Sequence, residues 1–313
     1  MNKGDSKEMA TGGDKILITG GTGFFGKSIL DWRLRHPGFM DGAEFTILSR
    51  DPGAFVAACP RLADQAGVSF VAGDIRTFDF STLHPFDALI HAATSAVTTL
   101  SDDEMRSTIV EGTRNVVSFA KGGGAGKLLF VSSGAVYGPQ TASVGETTAC
   151  SPVTAYGMGK LEAERLCLES GVPTPIARCF AFVGPYLNRR IHYAIGNFIQ
   201  DCLDGKDIVI KGDGTPLRSY LHADDLVEWL FAILERGEPG RAYNVGSPEA
   251  ISIGDLAARV RLVLGAKGEV RILGRPEGGP PSVYVPKVDR AREELGLEVR
   301  IGLDDAIRRS VAV

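Results

Sequence analysis

The 313-residue chain lacks the features that mark several large classes of protein. No apolar run approaches the ~20 residues that span a membrane, and the first fourteen residues lack the apolar centre of a secretory signal. Neither sign of charge dominates, since the formal net charge is -4 and the pI is about 5.8. Without a basic excess, a protein is not drawn to nucleic acid or to an anionic membrane surface. We therefore expect a soluble globular protein that binds neither.

Cysteine is scarce and shows no ligand spacing. The chain has five cysteines, and no two of them form a CxxC pair (Cys59, Cys150, Cys167, Cys179 and Cys202). An odd number at such spacings indicates neither a disulfide framework nor a zinc cage. We expect reduced thiols, a cytoplasmic location and no metal site.

What the sequence does contain is an alternation of short apolar runs with longer amphipathic ones. This alternation is typical of a parallel sheet covered by helices on both faces. The predicted strands span 15–19, 44–49, 68–72, 87–93, 127–133, 174–180 and 242–246. The predicted helices lie near 24–35, 101–121, 153–170, 192–204 and 223–236. We therefore predict a doubly wound α/β fold.

The alternation loosens after residue 183, where proline and glycine cluster in GDGTPLR (212–218) and GRPEGGPP (274–281). Such clusters indicate that the chain leaves the sheet to build a smaller C-terminal lobe. The predicted organisation is a flexible tail over 1–14, a dinucleotide-binding domain over 15–183 to which 219–246 returns, and a substrate-binding lobe from 184–218 and 247–313. Crevices between such lobes are where α/β proteins bind ligands.

A glycine-rich turn, TGGTGFFG (19–26), follows the first predicted strand and precedes the first predicted helix. Gly20, Gly23 and Gly26 allow a tight turn and a close approach of the backbone to a pyrophosphate, while the helix N-terminus attracts its charge. Phe24 and Phe25 begin the helix beside the bound group. The spacing favours a dinucleotide, although a plain strand-to-helix turn uses glycine in the same way.

The second predicted strand ends with Ser49 and Arg50, and an acidic residue appears only afterwards, at Asp51. A strand-end carboxylate would bind both ribose hydroxyls of NAD, whereas a serine and an arginine can bind the 2′-phosphate of NADP. We therefore predict NADP, with NAD as the alternative if Arg50 only stacks on adenine and Asp51 turns inward.

Two further motifs carry candidate catalytic groups. Tyr156 and Lys160 lie four apart on a predicted helix, so that both side chains project from one face. An ammonium close to a phenol lowers the pKa of the phenol, which can then exchange a proton with a sugar alcohol during hydride transfer. Ser132 and Ser133 end the fifth predicted strand, at the sheet edge that α/β enzymes use for catalysis.

Together these motifs resemble the extended short-chain dehydrogenase/reductases, in particular the NAD-dependent epimerase/dehydratase group that acts on nucleotide sugars. The resemblance runs from Lys15 to about Leu297. It is carried by TGGTGFFG, GDI (73–75), HAAT (91–94), SSGAVYG (132–138), YGMGK (156–160), ARCFAFVGP (177–185), GDGTPLRSYLHADDL (212–226) and YNVGS (243–247). It implies a Rossmann sheet with a small C-terminal lobe and a homodimer formed through helices 101–121 and 153–170.

The resemblance also implies roles for residues of the catalytic and cofactor sites. Tyr156 would be the acid/base, Ser133 would hydrogen-bond the sugar oxygen, and Lys160 would bind the nicotinamide ribose and polarise the tyrosine. The remaining cofactor contacts would come from Asp74 and Ile75, which flank the adenine, and from Ala92 and Ala93, which line the path to the ribose.

The implied substrate contacts lie further along the chain. Thr94 ends the HAAT motif, Arg218 matches the family arginine that binds the nucleotide diphosphate, and Arg275 is a candidate for a second contact of this kind. Paired guanidinium groups suit a diphosphate because their forked donors match its oxygens. His192 is a candidate for the sugar site, either as a base or only as a polar lining group.

One departure from the family pattern narrows the reaction. Between Ser133 and Tyr137 the family's 4,6-dehydratases have Asp-Glu, its decarboxylases have Glu, and several 3,5-epimerases have Cys, whereas this chain has Gly134 and Ala135. Neither side chain can move a proton, so hydride transfer at C4 remains. The sequence thus predicts a 4-keto sugar reductase or a 4-epimerase with tightly bound NAD, and a non-catalytic cofactor-binding regulator is the third reading.

Overall fold

The computed structural model describes residues 13–94, 100–191, 193–276 and 278–312. Its strands in chain order are β1 (Lys15–Thr19), β2 (Glu44–Ser49), β3 (Val68–Ala72), β4 (Phe86–His91), β5 (Ala125–Ser133), β6 (Ile176–Cys179), β7 (Phe182–Val183), β8 (Ile208–Ile210), β9 (Leu217–Arg218), β10 (Leu221–His222), β11 (Ala242–Val245), β12 (Ile251–Ser252), β13 (Val270–Ile272) and β14 (Val283–Tyr284). The α-helices are α1 (Phe24–Arg35), α2 (Pro52–Ala58), α3 (Pro60–Ala63), α4 (Asp102–Phe119), α5 (Ala155–Glu169), α6 (Ala194–Leu203), α7 (Ala223–Arg236), α8 (Ile253–Val263), α9 (Asp289–Leu295) and α10 (Leu303–Ser310).

The central layer is a seven-stranded sheet in the order β11-β6-β5-β4-β1-β2-β3, and all of its neighbours run parallel. The strand order reverses between β1 and β4, which is where doubly wound sheets bind ligands beyond the carboxyl ends of their strands. The seven strands of this sheet are the seven predicted ones, and the doubly wound fold class is confirmed.

The sheet is buried on both faces, which is why its strands read as nearly continuous apolar runs. One face packs against α1 and α7, with Ile18 and Phe231 among its buried side chains. The other face packs against α4 and α5, with Leu89 and Ile109 buried between them. No helix within the described ranges combines the length and apolar content that crossing a membrane requires.

Two helices near the site begin one or two residues later than predicted, at positions determined by capping side chains. The helix predicted over 153–170 begins at Ala155, because the Thr154 hydroxyl accepts the backbone N–H of Gly157 at 3.1 Å. The helix predicted near 101–121 begins at Asp102, after a capping box formed by Ser101 and Glu104.

In the C-terminal lobe, α6 corresponds to the helix predicted near 192–204, whereas the short strands and the helices α8, α9 and α10 were not predicted. β9 pairs with β12 and β14, and β8 pairs with β13. The helices α6, α8 and α10 enclose a separate apolar cluster that includes Ile199, Leu256 and Ile307. The predicted domain boundaries stay a prediction, and the part of the predicted tail over 1–12 lies outside the described residues.

Candidate active site

The glycine turn after β1 has the geometry that its sequence indicates. Gly20 has φ of +75°, and a Cβ at this position would lie 2.6 Å from the carbonyl oxygen of Ala92. A Cβ on Gly26 would overlap the backbone of Gly21. Only glycine therefore allows the turn, the start of α1 and the chain after β4 to pack this closely.

These residues fit a dinucleotide. α1 begins after Gly23, and no side chain caps its first turn. An uncapped helix N-terminus offers backbone N–H groups and a partial positive charge to a pyrophosphate. Phe24 and Phe25 form the first turn of this helix, and both rings pack against Phe182 of β7.

The carboxylate nearest the end of β2 is already used by the protein. The Asp51 carboxylate accepts the N–H of Ala54 at 2.9 Å and caps α2. The Ser49 hydroxyl lies 3.3 Å from the Thr22 hydroxyl, and the side chain of Arg50 is exposed. At the end of β2, the hydroxyls of Ser49 and Thr22 and the guanidinium of Arg50 are therefore the groups that could bind a ligand. The Asp51 carboxylate is already hydrogen-bonded to the N-terminus of α2.

Asp74 and Ile75 follow β3 and face in different directions. Asp74 accepts hydrogen bonds from the Arg76 guanidinium at 2.8 and 2.7 Å, and this partner lowers the pKa of the Asp74 carboxyl to about 2. Ile75 is buried against α4, where a Cβ on Gly112 would lie 2.9 Å from its side chain. The aspartate is thus fixed as an anion at the rim while the isoleucine anchors the loop.

At the other end of the cleft, three hydroxyl groups meet. The Ser133 hydroxyl lies 3.4 Å from the phenol oxygen of Tyr284, and it is close enough to the Tyr156 phenol to oppose, in part, the effect of burial on the pKa of that phenol. Ser133 also accepts the backbone N–H of Ala135 at 3.1 Å, which fixes its side chain. The structure thus brings the predicted Ser133 and Tyr156 together and adds Tyr284, which the sequence analysis missed.

Lys160 is buried with 2% of its surface exposed, directly below this group. Its ammonium donates to the Val131 carbonyl at 2.8 Å and lies 5.1 Å from the centre of the Phe130 ring and 6.0 Å from that of Tyr156. Burial lowers the pKa of this lysine to about 8, because the charged form loses its hydration.

The expectation that Lys160 lowers the pKa of Tyr156 is not met. The pKa of the Tyr156 phenol is raised well above its ordinary value, because burial disfavours the phenolate more than the hydrogen bond to Ser133 favours it. The lysine directs its proton at a carbonyl instead of the phenol oxygen. Tyr156 is therefore a protonated phenol at neutral pH in this structure.

Gly134 is required by a neighbouring aromatic ring. A Cβ at this position would lie 2.7 Å from the ring of Phe180, which follows β6. Phe180 also stacks at a tilt against Tyr284, with ring centres 4.8 Å apart. The space that a longer side chain would need at residue 134 is thus filled by a ring that also supports Tyr284.

The predicted substrate residues lie at different positions around the cleft. The buried hydroxyl of Thr94 has no hydrogen-bond partner among the described residues. Arg218 is half-buried, donates to the Leu217 and Ser282 carbonyls, and lies beside Tyr284 in the register of β9 with β14. Arg275 is exposed in the connection before β14, and His192 lies outside the described residues.

A sequence signal for Tyr284 was present but weak. The run SVYVP contains alternating apolar residues typical of a short strand, but no motif marks its tyrosine. Tyr284 is brought near Ser133, which lies 151 positions earlier in the chain, by the pairing of β14 with β9 and by backbone hydrogen bonds that join β14 and the chain after it to Gln140 and Val144. A contact of this range cannot be derived from local periodicity.

Comparison with known proteins agrees with the glycine turn, the switch point of the sheet and the paired hydroxyls. The family model described as NAD dependent epimerase/dehydratase family matches residues 16–246. The chain belongs to this family.

Its relatives in the epimerase/dehydratase family have several activities. UDP-glucuronic acid decarboxylase 1 of Xenopus tropicalis is 26% identical, over 95% of this chain and 71% of the relative. A protein of Bacillus subtilis named as the uncharacterized UDP-glucose epimerase YtcB is 24% identical, over 95% of this chain and 97% of the relative. This epimerase/dehydratase protein is therefore an enzyme of an NAD-dependent family that modifies nucleotide sugars.

Among solved structures, the fold is similar to that of UDP-glucuronic acid 4-epimerase from Bacillus cereus, whose crystals contain UDP-glucuronic acid and NAD. The TM-score is 0.82 at 24% identity, and the match covers 95% of this chain and 97% of the other. This similarity supports the fold of the epimerase/dehydratase protein. It does not determine which reaction the protein catalyses.

Proposed function

We propose that the protein reduces the 4-keto group of a nucleotide-activated sugar, with NADP as its dinucleotide. The observation that carries this proposal is the segment between Ser133 and Tyr137. Gly134 and Ala135 have no proton-carrying group there, and Phe180 fills the space beside Gly134. Elimination, decarboxylation and carbon-acid epimerisation lack the second proton carrier that each requires.

The protonation of Tyr156 fits its proposed role as a proton donor. A ketone that accepts a hydride needs a proton on its oxygen, and a phenol with a raised pKa is the form that can donate it. Oxidation of an alcohol would need the phenolate, which burial disfavours at Tyr156. The protonated Tyr156 can therefore serve as the proton donor when a ketone at C4 is reduced.

The roles of the chain's own residues follow from their contacts. When bound, the reduced dinucleotide supplies the hydride to C4 of the sugar. The Tyr156 phenol donates a proton to the C4 oxygen, and the Ser133 hydroxyl, which lies beside that phenol, hydrogen-bonds the same oxygen. The Lys160 ammonium adds positive charge below the phenol and favours the phenolate left by proton transfer.

The end of β2 supports NADP. Arg50 and the hydroxyls of Ser49 and Thr22 can bind a 2′-phosphate, and Asp51 is engaged in capping α2. The relatives of known structure argue for NAD, because those of Bacillus cereus and Streptomyces venezuelae contain it. We nevertheless propose NADP, because the residues at the end of the second strand determine whether such a site prefers NAD or NADP.

The substrate side of the proposal uses the outer residues. Arg218 and Arg275 would bind the diphosphate of the nucleotide. Tyr284 and Thr94 would contact the sugar, since the first touches Ser133 and the second has a buried hydroxyl without a partner in the described chain. His192 is retained as a candidate lining residue.

A 4-epimerase that keeps NAD tightly bound is the second candidate. It uses the same three residues, and the names of the Bacillus subtilis relative and of the Bacillus cereus structure favour it. It differs from the reductase because the hydride is removed from C4 and returned to its opposite face, so no external reductant is consumed.

The two candidates are separated by mixing the purified protein with NADPH or NADH and a 4-keto-6-deoxy nucleotide sugar while following the absorbance of the reduced nicotinamide. We expect oxidation of NADPH, and none with Tyr156→Phe. No oxidation, together with interconversion of C4 epimers of a nucleotide sugar, would favour the epimerase. Neither activity would leave a cofactor-binding regulator.

A further inference from the structure

A buried ion pair lies behind the reacting hydroxyls. Glu164 is on α5, one turn beyond Lys160 and two turns beyond Tyr156, and its side chain is 3% exposed. Its carboxylate accepts hydrogen bonds from Arg178 of β6, at 3.0 Å from Nε and 2.8 Å from Nη2. This forked contact fixes the orientation of the carboxylate relative to the sheet.

Both partners of the ion pair make further hydrogen bonds. Glu164 bonds to Ser132, and Arg178 bonds to Tyr137. The Ser132 hydroxyl, one residue before Ser133, donates to Glu164 Oε1 at 2.5 Å. Arg178 Nη1 donates to the Tyr137 hydroxyl at 3.1 Å, which donates to Asn244 at 2.8 Å.

The far end of this hydrogen-bond network reaches the chain just after β14, the strand that carries Tyr284. The Asn244 amide donates to the carbonyls of Val144 and Lys287, at 3.1 and 3.0 Å. Lys287 follows Tyr284 by three residues. The network therefore connects α5, which carries Tyr156, and β5, which carries Ser133, through β6 and β11 to the chain that follows Tyr284.

We propose that Glu164 is a positioning residue that acts through Ser132 and Arg178 to hold Ser133 in contact with Tyr156. Buried ion pairs add little net stability compared with apolar packing, so stability alone gives little reason for one at this place. A displacement of about 1 Å at a reacting group can cost about a hundredfold in rate. Only the expected change in kcat rests on the proposed function. The positional role of Glu164 does not.

Two substitutions test it, with a matched control. Ser132→Ala removes one hydrogen bond to Glu164 and keeps the ion pair, so this variant folds even where Glu164→Gln does not. The control is Asp225→Asn on α7, a buried carboxylate whose oxygen accepts the backbone N–H groups of Arg300 and Ile301. All three change a buried, hydrogen-bonded side chain, and only the first two touch the network.

The first measurement needs no substrate. Amide hydrogen exchange of residues 133–137 should be about tenfold faster in Ser132→Ala and in Glu164→Gln, and unchanged in Asp225→Asn, with the amides of β1 as the internal reference. Unchanged exchange at 133–137 in Ser132→Ala would overturn the proposal. This result does not depend on turnover, so a protein with no reductase activity would refute the proposed function and leave this test intact.

The second measurement separates positioning from stability. At a temperature well below unfolding, kcat for the 4-keto sugar should fall about fivefold in Ser132→Ala, the effect of one hydrogen bond, and about a hundredfold in Glu164→Gln. KM should stay within about twofold, as should kcat of Asp225→Asn. Equal kcat in all variants would show that the network only stabilises the fold and would overturn the proposal.

Discussion

The two ends of the candidate site differ in how deeply their charged groups are buried. At the catalytic end, Lys160 is buried with a pKa lowered to about 8, and the pKa of Tyr156 is raised. At the adenosine end, Arg50 is exposed, and Asp74 has its pKa lowered to about 2 by the guanidinium of Arg76. Burial sets the protonation states at one end, and exposed charge pairs set them at the other.

This difference indicates what each end controls. Groups held in a buried site keep their geometry and protonation when surface charges change, so the reaction depends on Ser133, Tyr156 and Lys160. Exposed groups are screened by solvent and are easily exchanged, so in the proposed function dinucleotide choice is adjustable at the exposed Arg50 without altering the chemistry. Substitutions at one end should therefore leave the properties of the other unchanged.

The largest effect is expected at the catalytic end. Tyr156→Phe removes the proton donor and should lower kcat about 10²–10⁴-fold, while the Kd for NADPH stays within about threefold. Steady-state rates and fluorescence titration of NADPH measure the two quantities. Near-normal turnover in this variant would refute the assignment of Tyr156.

At the adenosine end, Arg50→Ala should weaken NADPH binding about 10–100-fold, because a charge-assisted contact to the 2′-phosphate is lost. Binding of NADH should change little, and kcat at saturating NADPH should be unaffected. Arg61→Ala, a substitution of another arginine near the end of the neighbouring helix α3, is the matched control. An equal loss of affinity for NADPH and NADH would show that Arg50 does not contact the 2′-phosphate.

The pH dependence of kcat should reflect the buried lysine. The Lys160 ammonium loses its proton as pH rises through about 8, so kcat should fall above this pH, by about tenfold per unit at most. The unfolded chain binds more protons than the native one between about pH 8 and the ordinary lysine pKa of ~10.4, so Lys160 should contribute rising stability over the same window. A rate that stays flat from pH 7 to 10 would contradict this role for the ammonium.

A smaller effect is expected from filling the space beside the site. Gly134→Ala forces a Cβ against Phe180 and should destabilise the fold by about 1–3 kcal/mol, measured by chemical unfolding. Gly134→Ala combined with Phe180→Leu should recover part of the loss, because the smaller side chain makes room. No recovery would mean that the ring does not determine the residue at 134.

The sheet could be predicted from the sequence because its signals are local. Strands buried on both faces read as apolar runs, and the glycine turn, the SSGAVYG segment and the Tyr156–Lys160 spacing each lie within a few residues. The lobe could not be predicted in this way. Its strands β9, β12 and β14 have two residues each, and they are stabilised by pairing with distant segments.

The same distinction applies within the candidate site. Ser133 and Tyr156 were predicted to meet, and they do. The position of Tyr284, the ring of Phe180 behind Gly134 and the hydrogen bond from Lys160 to Val131 depend on tertiary packing. The raised pKa of Tyr156 follows from that packing, which is why the motif alone indicated the opposite direction.

In the proposed function, this site delivers an external hydride to C4 of a nucleotide sugar. The most direct test is to supply NADPH with deuterium at C4 of the nicotinamide, together with a 4-keto nucleotide sugar, and to locate the label in the sugar product by mass spectrometry and NMR. We predict one deuterium at C4 for each NADPH oxidised. A C4-epimerised sugar formed without deuterium and without loss of NADPH would contradict the claim.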